Sequence, residues 1–393
     1  MFNLLHSITG LNVGGAESML LSFVGQLDRN RWRTEILSLM PAGPLKARAD
    51  SLGVPVRSAG MARGRPNLAA IGEVRRAFRD FAPQIAHGWM YHGNLAATFG
   101  AMRSGRRTPV IWSIHHSLSG FAHEKPMTQA LIRLSAAVSG SPAAISYCSR
   151  VSAEQHRRIG FRPRRQVVIP NGTDCDLFKP SPDARGRLLK LLGVPQDAVL
   201  IGHVGRAHPM KDQARLVRAL GSLLKDGYSV HGVIIGAGHL GGAAERAVRE
   251  IGISQNVSLL GMRDDVADLT PGLDLFVLPS AWGEAFPLAA AEAMASGVPV
   301  VATDVGDCSW LVGDAGGIAR PNDTESLIAA IKSVLDLTAD DRRALGARAR
   351  QRIVDEFGLD QYVRGHLDLY EEALDRSGRP TDSRAARASR AFV

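Results

Sequence analysis

The 393-residue sequence predicts an α/β protein with two domains, each built around a parallel sheet with helices on both faces. Short apolar runs alternate with helical patterns along the chain, which is typical of βαβ units. The pattern stops at a junction rich in turn residues and then starts again, and the length suits two domains of similar size. We therefore expect two Rossmann-like domains that face each other across a cleft.

The first half of the chain contains six predicted strands, at residues 3–9, 34–39, 84–87, 110–114, 144–148 and 167–169. A helix is predicted from Ala16, because apolar residues then recur on one helical face: Met19, Leu20, Phe23, Val24 and Leu27. Residues 170–180 combine Pro, Asn, Gly and Asp, and this segment is the predicted domain junction. The first domain is therefore expected to span residues 1–180.

The second half contains five predicted strands, at residues 199–204, 230–235, 257–260, 273–278 and 298–302. Helices are predicted at residues 212–224 and 287–295, and Gly297 fits a helix C-terminus. We expect this domain to span residues 181–358 and a helix at residues 359–376 to pack back on the first domain. Residues 377–393 are rich in Arg, Ala and Ser without periodicity, and disorder is expected there.

The positive charge is concentrated in the first half of the chain. Residues 1–180 contain 23 Lys and Arg against 10 Asp and Glu, whereas residues 181–375 contain 19 against 27. Such a lobe could face an anionic lipid leaflet or nucleic acid, or it could simply solubilise the domain. We find no nucleic-acid motif, so no nucleic-acid partner is expected.

Targeting and redox signals are absent from the sequence pattern. No apolar run approaches the roughly 20 residues of a membrane span, and the N-terminus lacks the pattern of a signal peptide. A cytoplasmic location is expected, with peripheral contact at the inner membrane face as a further option. Cys148, Cys175 and Cys308 are widely spaced and predict neither disulfides nor a zinc site.

The first candidate site is the turn at residues 10–17, G-L-N-V-G-G-A-E, which lies between the first strand and its helix. Gly14 and Gly15 let the backbone approach a ligand, and the free N–H groups that begin the helix favour an anion. The turn does not match G-x-G-x-x-G, so a dinucleotide site is not predicted. A tight turn without a ligand is the alternative.

The second candidate site is V-G-R-A-H-P-M-K-D at residues 204–212, which follows a strand and opens into a helix. Arg206 and Lys211 can neutralise a diphosphate and stabilise it as it departs. Gly205 makes room for a close ligand. The alternative is a charged pair on a surface loop.

The third candidate site is P-S-A-W-G-E-A-F-P-L-A-A-A-E-A-M-A-S-G at residues 279–297. Glu284 lies in the loop after a strand, and Pro287 can occupy the first turn of the next helix. Glu292 lies among alanines and is expected to accept hydrogen bonds from ribose hydroxyls, with a solvated helix face as the alternative. Both loops leave the carboxyl ends of parallel strands, where open α/β sheets bind ligands.

In this order the motifs resemble the family 4 retaining glycosyltransferases, which have the GT-B fold. The resemblance runs from about residue 3 to residue 335. It rests on the GGAE turn, the I-P-N-G-T-D-C-D-L-F junction, the G-R…K-D loop, I-I-G-A-G at residues 234–238, L-L-G-M-R-D-D-V at residues 259–266 and two glutamates eight positions apart. The resemblance implies transfer of a hexose-type sugar from a UDP-, GDP- or ADP-sugar with retention of anomeric configuration.

The resemblance also implies a donor site in the second domain. Arg206 and Lys211 would contact the diphosphate, Glu292 the ribose and Glu284 the transferred sugar, while Gly15 would touch phosphate from the first domain. The expected donor-binding residues are Gly15, Gly205, Arg206, Lys211, Met262, Arg263, Glu284, Ala285, Phe286, Pro287, Leu288 and Glu292.

A histidine ends an early strand in this family, and W-S-I-H-H-S places His115 at that position. Its ring could bond a sugar hydroxyl while its carbonyl faces the anomeric centre, so that no enzyme nucleophile is needed. His116 is the adjacent alternative. The expected catalytic residues are His115, Arg206, Lys211 and Glu284.

The sequence departs from the family pattern at Ala285, where glycine is common, and at residues 307–310, which lack a glutamate that some members carry. Asp174 and Asp176 spell the D-x-D of the other major glycosyltransferase fold, where it binds a metal. They lie in the domain junction, and Arg206 and Lys211 already supply cations. No metal and no cofactor are therefore expected, and the nucleotide sugar is a co-substrate.

Residues 89–94, W-M-Y-H-G-N, follow a strand in the basic domain and offer groups suited to stacking on a sugar, although core packing is the alternative. The expected acceptor-binding residues are Trp89, Tyr91, His92 and Asn94. We expect a lipid-linked or polysaccharide acceptor in envelope or exopolysaccharide synthesis. A nucleotide-sugar epimerase of the same fold and a non-catalytic sugar-nucleotide-binding protein are the alternative functions.

Overall fold

The computed structural model describes residues 1–62, 68–118, 121 and 124–378. It divides the chain into two compact units. The first contains Met1–Gly172 and the described residues from Asp360 onward, and the second is Thr173–Leu359. The division falls inside the predicted junction, before residue 180. Most of the tail for which disorder was expected lies outside the described residues, from residue 379 onward.

The first unit contains one fully parallel sheet among its described residues. Its strands are β1 (Phe2–Ile8), β2 (Trp32–Ser38), β3 (Val56–Ser58), β4 (Ile85–Trp89), β5 (Val110–Ile114), β6 (Ala144–Tyr147) and β7 (Gln166–Val168). Its first helices are α1 (Gly15–Gly25), α2 (Lys46–Ser51), α3 (Leu68–Phe81), α4 (Met90–Arg103), α5 (Pro126–Ala137) and α6 (Arg150–Arg158). The strand order is β3-β2-β1-β4-β5-β6-β7, so the winding reverses between β1 and β4.

The second unit repeats this arrangement with a parallel sheet in the order β10-β9-β8-β11-β12-β13. Its strands are β8 (Val199–Val204), β9 (Val230–Ile235), β10 (Val257–Leu259), β11 (Leu275–Leu278), β12 (Val300–Thr303) and β13 (Gly316–Ala319). The helices from here to the C-terminus are α7 (Ala184–Leu192), α8 (Gln213–Lys225), α9 (Ala243–Ile251), α10 (Val266–Leu269), α11 (Leu288–Ala295), α12 (Cys308–Val312), α13 (Thr324–Leu335), α14 (Ala339–Glu356) and α15 (Leu359–Arg376). The winding reverses between β8 and β11.

The second sheet is covered by helices on both faces, because neighbouring residues of its strands enter two separate cores. Leu200 packs in the core that contains α11 and α14, whereas Ile201 packs in the core that contains α8 and α13. Val300 and Val301 divide in the same way. Since side chains alternate across a strand, a strand buried on both faces is an apolar run without alternation, as these strands are.

Helix α15 packs on the first sheet within the first unit. The Tyr370 ring lies 5.6 Å from the Trp32 ring, and the Tyr370 hydroxyl lies 2.5 Å from His87 Nδ1. Arg31 of the loop before β2 forms an ion pair of 2.6 Å with Glu371. The C-terminal helix therefore completes the core of the first unit.

The two parallel sheets confirm the predicted fold class. The short strands β3 and β13 and the helix α4 were not predicted, because each has few residues that follow a clear apolar period. Gly297 has φ 76° just after α11, as a helix C-terminus requires. No helix in the described part of the chain is long and apolar enough to cross a membrane.

Candidate active site

The two loops that follow β8 and β11 lie at the switch point of the second sheet, where the strand order reverses. Residues 205–212 follow β8 and end in a short 3-10 helix, Pro209–Lys211. Asp212 has φ 42°, and its carboxylate accepts a hydrogen bond from the Arg215 N–H that begins α8. This cap and an Arg215–Asp212 ion pair of 2.7 Å fix the end of the loop where it enters α8.

Glu284 and Lys211 form a buried ion pair between these loops. Lys211 Nζ lies 2.6 Å from Glu284 Oε1, and the Ser280 hydroxyl donates to the same oxygen at 2.5 Å. Glu284 is only 6% exposed. A Cβ on Gly306 would collide with the Glu284 carbonyl oxygen, so the chain after β12 packs directly on this loop. The cation and the carboxylate are thus both held in place without a ligand.

Arg206 lies near the start of the loop after β8, and its side chain is exposed. Its carbonyl accepts a hydrogen bond from Gln213 Nε2 at 2.9 Å, which fixes the backbone. Within the described ranges, no carboxylate forms an ion pair with its guanidinium. The Gly205 carbonyl accepts from His239 Nε2 at 2.8 Å, and a Cβ on Gly236 would collide with that carbonyl. The loop backbone is therefore rigid while the Arg206 side chain remains available.

Glu292 lies on α11, eight residues after Glu284, and is partly buried. Burial raises the pKa of its carboxyl to about 7. In the part of the chain that the structure describes, no donor hydrogen-bonds its carboxylate. A partly buried carboxylate without a partner fits the prediction that Glu292 accepts hydrogen bonds from ligand hydroxyls.

The remaining predicted donor residues differ in exposure. Met262 is 79% exposed. Arg263 forms an ion pair of 2.7 Å with Asp265, and the hydrogen bond to this carboxylate raises the pKa of the Arg263 guanidinium. Phe286 is buried against Phe357, with ring centroids 5.5 Å apart. The Ala285 carbonyl accepts a backbone hydrogen bond from Asp307. Pro287 is the N-cap of α11, and Leu288 is the first residue of that helix. The structure thus gives Phe286 a packing role beside the loop.

His115 follows β5 in the first unit, and its ring stacks on Trp89 at 5.3 Å and 12°. Its Nδ1 lies 2.9 Å from Asn171 Oδ1, and its backbone N–H points to Met90 Sδ. Burial, with a smaller effect of His366, lowers the pKa of His115 to about 3. The ring is therefore neutral at physiological pH, and Nδ1–H donates to Asn171. Nε2 is left as an acceptor without a partner among residues 1–62, 68–118, 121 and 124–378.

His116 is held differently from its neighbour. Its Nδ1 lies 3.1 Å from the Tyr91 hydroxyl, and its Nε2 lies 3.1 Å from Glu124 Oε1. Burial lowers the pKa of His116, and Glu124 opposes that shift. Both ring nitrogens are thus bonded to protein groups, whereas His115 keeps one nitrogen free for a ligand.

The glycine-rich turn places Gly15 at the first position of α1, with Gly14 as its N-cap. The Glu17 carboxylate reaches back to this turn, because a Cβ on Gly14 would collide with Glu17 Oε2. Burial raises the pKa of Glu17. Gly15, Glu17 and His115 line one cavity of about 430 Å³ in the first unit. The structure therefore brings the turn and the histidine together.

The predicted acceptor residues are mostly in the core. Trp89 and Asn94 are fully buried and Tyr91 is 4% exposed, which agrees with core packing, the stated alternative. His115 and His366 both stack on the Trp89 ring. Tyr91 and His92 line the same cavity as His115, and His92 is the one of the four that is partly exposed.

Two residues of the site were missed in the sequence. Asn171, 4% exposed, orients His115, yet it was assigned only to the domain junction. Ser280, which bonds Glu284, was only part of a loop. One signal in the sequence could have identified Asn171. It is the amide residue of the I-P-N-G junction motif, and a turn can form there without an amide side chain.

The D-x-D of the junction is used within a turn. Asp174 Oδ1 accepts hydrogen bonds from the N–H groups of Asp176 and Leu177, at 3.0 and 2.9 Å. Across the described ranges, no three His, Cys, Asp or Glu side chains are grouped so that they could hold a metal ion.

Two parallel-sheet units, with Lys211 and Glu284 on the switch-point loops and Glu292 on the helix that follows, have the architecture of the GT-B glycosyltransferases. Two family profiles match the chain: "Glycosyltransferase Family 4" over residues 13–177 and "Glycosyl transferases group 1" over residues 198–337. The chain belongs to this group 1, family 4 class of glycosyltransferases.

Curated relatives agree with this assignment at low identity. EpsF of Bacillus subtilis is 26% identical over 76% of this chain and 78% of its own length. UDP-Gal:alpha-D-GlcNAc-diphosphoundecaprenol alpha-1,3-galactosyltransferase of Escherichia coli is 29% identical over 53% of this chain and 54% of its own length. The lipopolysaccharide core biosynthesis mannosyltransferase LpsB of Rhizobium meliloti is 32% identical over 57% and 66%. The match thus spans just over half to two thirds of the latter two relatives.

Solved structures share the fold over nearly the whole chain. HepE of Anabaena in complex with UDP superposes with a TM-score of 0.83 at 21% identity, covering 95% of this chain and all of that one. WaaG, a glycosyltransferase involved in lipopolysaccharide biosynthesis, superposes with a TM-score of 0.71 at 16% identity, covering 94% and 99%.

Proposed function

We propose that this glycosyltransferase transfers a sugar from a UDP-sugar to a lipid-linked or polysaccharide acceptor of the cell envelope, with retention of anomeric configuration. The observation that carries the donor part is the buried Lys211–Glu284 pair, together with the exposed Arg206 side chain on the same loop as Lys211. UDP as the nucleotide is supported by the names of the galactosyltransferase relative and of the HepE complex.

The cations act on the leaving group. As the glycosidic bond to the diphosphate breaks, negative charge grows on the phosphate oxygens, and fixed cations stabilise that charge. Lys211 has three N–H donors, so it can keep its bond to Glu284 and still contact a phosphate. Arg206 can bind phosphate oxygens in a bidentate manner because no ion pair among the described residues occupies it.

The carboxylates act on the sugar and the ribose. Glu284 accepts from Lys211 and Ser280 through Oε1. Oε2 has no hydrogen-bond partner among the described residues, so it can accept from hydroxyl groups of the transferred sugar. Glu292 accepts hydrogen bonds from the ribose. In the first unit, neutral His115 offers Nε2 to a sugar hydroxyl, and we assign it rather than His116 because both His116 nitrogens are bonded to protein.

The acceptor part rests on the envelope-synthesis names of the relatives and on the basic first half of the chain. Cations on that half favour an acceptor that carries phosphate or lies at an anionic leaflet. A place at the inner membrane face, reached from the cytoplasm, belongs to the same proposal.

A thermal-shift screen of the full chain against UDP, GDP, ADP and NAD, with and without EDTA, tests the donor part. We expect UDP alone to stabilise the protein, with no effect of EDTA. Stabilisation only by NAD, or by none of the four, would contradict the proposal.

Transfer itself is tested with UDP-sugars and a lipid-diphosphate acceptor, and the anomeric configuration of the product is read by NMR. Arg206→Ala and Glu284→Ala are expected to remain folded and lose transfer by at least about 100-fold. Arg249→Ala, which removes an exposed cation of α9, is the matched control and should stay active. Full activity of either site variant would contradict the proposed role of the substituted residue.

A further inference from the structure

Helix α5 exposes a row of apolar residues, an apolar stripe, on its outer face. Met127 is 67% exposed and Leu134 is 53% exposed, and Ala130 and Ala137 between and beyond them are exposed as well. These positions lie on one helical face, at spacings of three and four residues. The opposite face buries Ile132 in the core. A helix of a globular domain normally has polar residues on its outer face, so the stripe marks an interaction surface.

The charged residues of α5 and of the position just before it are positive. Lys125 precedes the helix and Arg133 lies at the edge of the stripe, and both are exposed. The Arg133 guanidinium lies over the Phe121 ring, 5.2 Å from its centroid. The sequence contains no Asp or Glu between Glu124 and Glu154, and Glu124 itself contacts His116. An apolar stripe flanked by cations is complementary to an anionic lipid surface.

The same helix borders the cavity of the catalytic histidine. Thr128 and Leu131, on the flank of α5, line the cavity of about 430 Å³ that also contains Gly15 and His115. One side of α5 therefore lines the cavity while its outer face is exposed, so a bilayer that contacts the outer face is separated from the cavity by the width of this helix. An acceptor held in the leaflet by its lipid would have only a short distance to travel to His115.

We infer that helix α5 is the membrane-docking surface of this enzyme, with Met127, Ala130, Leu134 and Ala137 inserted at the headgroup boundary and Lys125 and Arg133 on lipid phosphates. The inference deepens the proposed function and rests on its lipid-linked acceptor. The partner is an anionic phospholipid bilayer. A second copy of the chain is the main rival occupant.

A second basic surface in the first unit provides matched controls. Arg106, Arg107 and Arg164 line another cavity, of about 360 Å³, together with Met102, which is 77% exposed. These residues lie near the N-terminal ends of β5 and β7. His115 follows the C-terminal end of β5, at the opposite edge of the sheet. The residues that line this cavity lie outside α5, so it offers the same residue types without the stripe.

Sedimentation of the full chain with phosphatidylglycerol–phosphatidylcholine vesicles tests the inference, with pure phosphatidylcholine and added salt as further arms. M127S/L134S is expected to weaken binding to the anionic vesicles by about tenfold or more, because two apolar side chains no longer insert. K125E/R133E is expected to do the same at low salt. M102S and R106E/R107E should bind as the unchanged chain does.

Three outcomes would overturn the inference. Loss of binding in R106E/R107E but not in the α5 variants would move docking to the arginine cavity. A lower molecular mass of M127S/L134S in sedimentation equilibrium, with vesicle binding unchanged, would identify the stripe as a contact between copies. No binding of the unchanged chain to anionic vesicles would exclude membrane docking, and the UDP thermal shift of the same preparation would show separately whether the donor proposal stands.

Discussion

Lys211 Nζ lies 2.6 Å from Glu284 Oε1, although the two residues are 73 positions apart in the sequence. The side chains are 17% and 7% exposed, so each charge depends on the other for its stability. The pair joins the loops after β8 and β11. The observed structural contribution and the proposed catalytic role therefore fall on the same two residues, and experiment can separate them.

Removing only the cation should destabilise the second unit. Lys211→Met leaves the Glu284 carboxylate buried with Ser280 alone, and we expect a loss of about 3 kcal/mol in the free energy of unfolding. The double variant K211M/E284Q should recover much of that loss, because no buried charge is left unpaired. Both variants should be inactive in transfer. Denaturant unfolding measures the stability.

Lys332→Met is the control for this experiment, because Lys332 pairs with Asp226 at 2.8 Å with both side chains more exposed, 34% and 48%. It should destabilise the fold much less than Lys211→Met does, because solvent screens an exposed ion pair. If Lys211→Met and Lys332→Met lowered the free energy of unfolding equally, the buried pair would contribute no more to stability than an exposed one.

Stability should depend on pH through Glu292. Burial raises its pKa from 4.5 to about 7, so between these values the folded chain binds more protons than the unfolded chain. The free energy of unfolding therefore falls as pH rises through this window, and the full penalty is present above pH 7. Glu292→Gln should remove it and gain about 1–3 kcal/mol at pH 8 but little at pH 4.5.

Thermal unfolding of Glu292→Gln and the unchanged chain over this pH range measures the effect. Glu250→Gln, at an exposed position of α9, is the matched control and should show no pH-dependent gain. A constant difference between Glu292→Gln and the unchanged chain at every pH would argue against a raised carboxyl pKa.

Local patterns predicted the β-strands that carry the site, and they predicted that Arg206, Lys211 and Glu284 follow such strands. The pairing of Lys211 with Glu284 was not predictable, because it depends on β8 and β11 being neighbours in the sheet. Trp89 looked suited to a sugar because an aromatic residue after a strand has the same pattern whether it is buried or exposed. Its burial depends on α15, which returns from far along the chain.

The Asn171 amide should fix the tautomer of His115. Asn171→Asp places a carboxylate beside Nδ1, which favours the protonated ring and raises the pKa of His115. Protonation removes the free acceptor at Nε2, so the variant should lose kcat on the acid side at a higher pH than the unchanged enzyme. The measurement is the pH profile of kcat at saturating nucleotide sugar.

Asn171→Ala separates this effect from a loss of packing. It should lower kcat at all pH values without adding an acid limb, because no charge replaces the amide. If Asn171→Asp and Asn171→Ala had the same pH profile, Asn171 would contribute only to structure.

The hydroxyl of Tyr370 should stabilise the first unit through helix α15. It lies 2.5 Å from His87 Nδ1 in a fully buried position, and burial, together with neighbouring histidines, lowers the pKa of His87, so this ring is neutral. Tyr370→Phe leaves His87 Nδ1 without its partner and should cost about 1–2 kcal/mol. Tyr228→Phe removes an exposed hydroxyl that donates to Asp336 at 2.7 Å, and it should destabilise the fold less than Tyr370→Phe does. Urea unfolding of both variants decides the matter, since equal losses would mean that the buried hydrogen bond does not fasten α15 to the sheet.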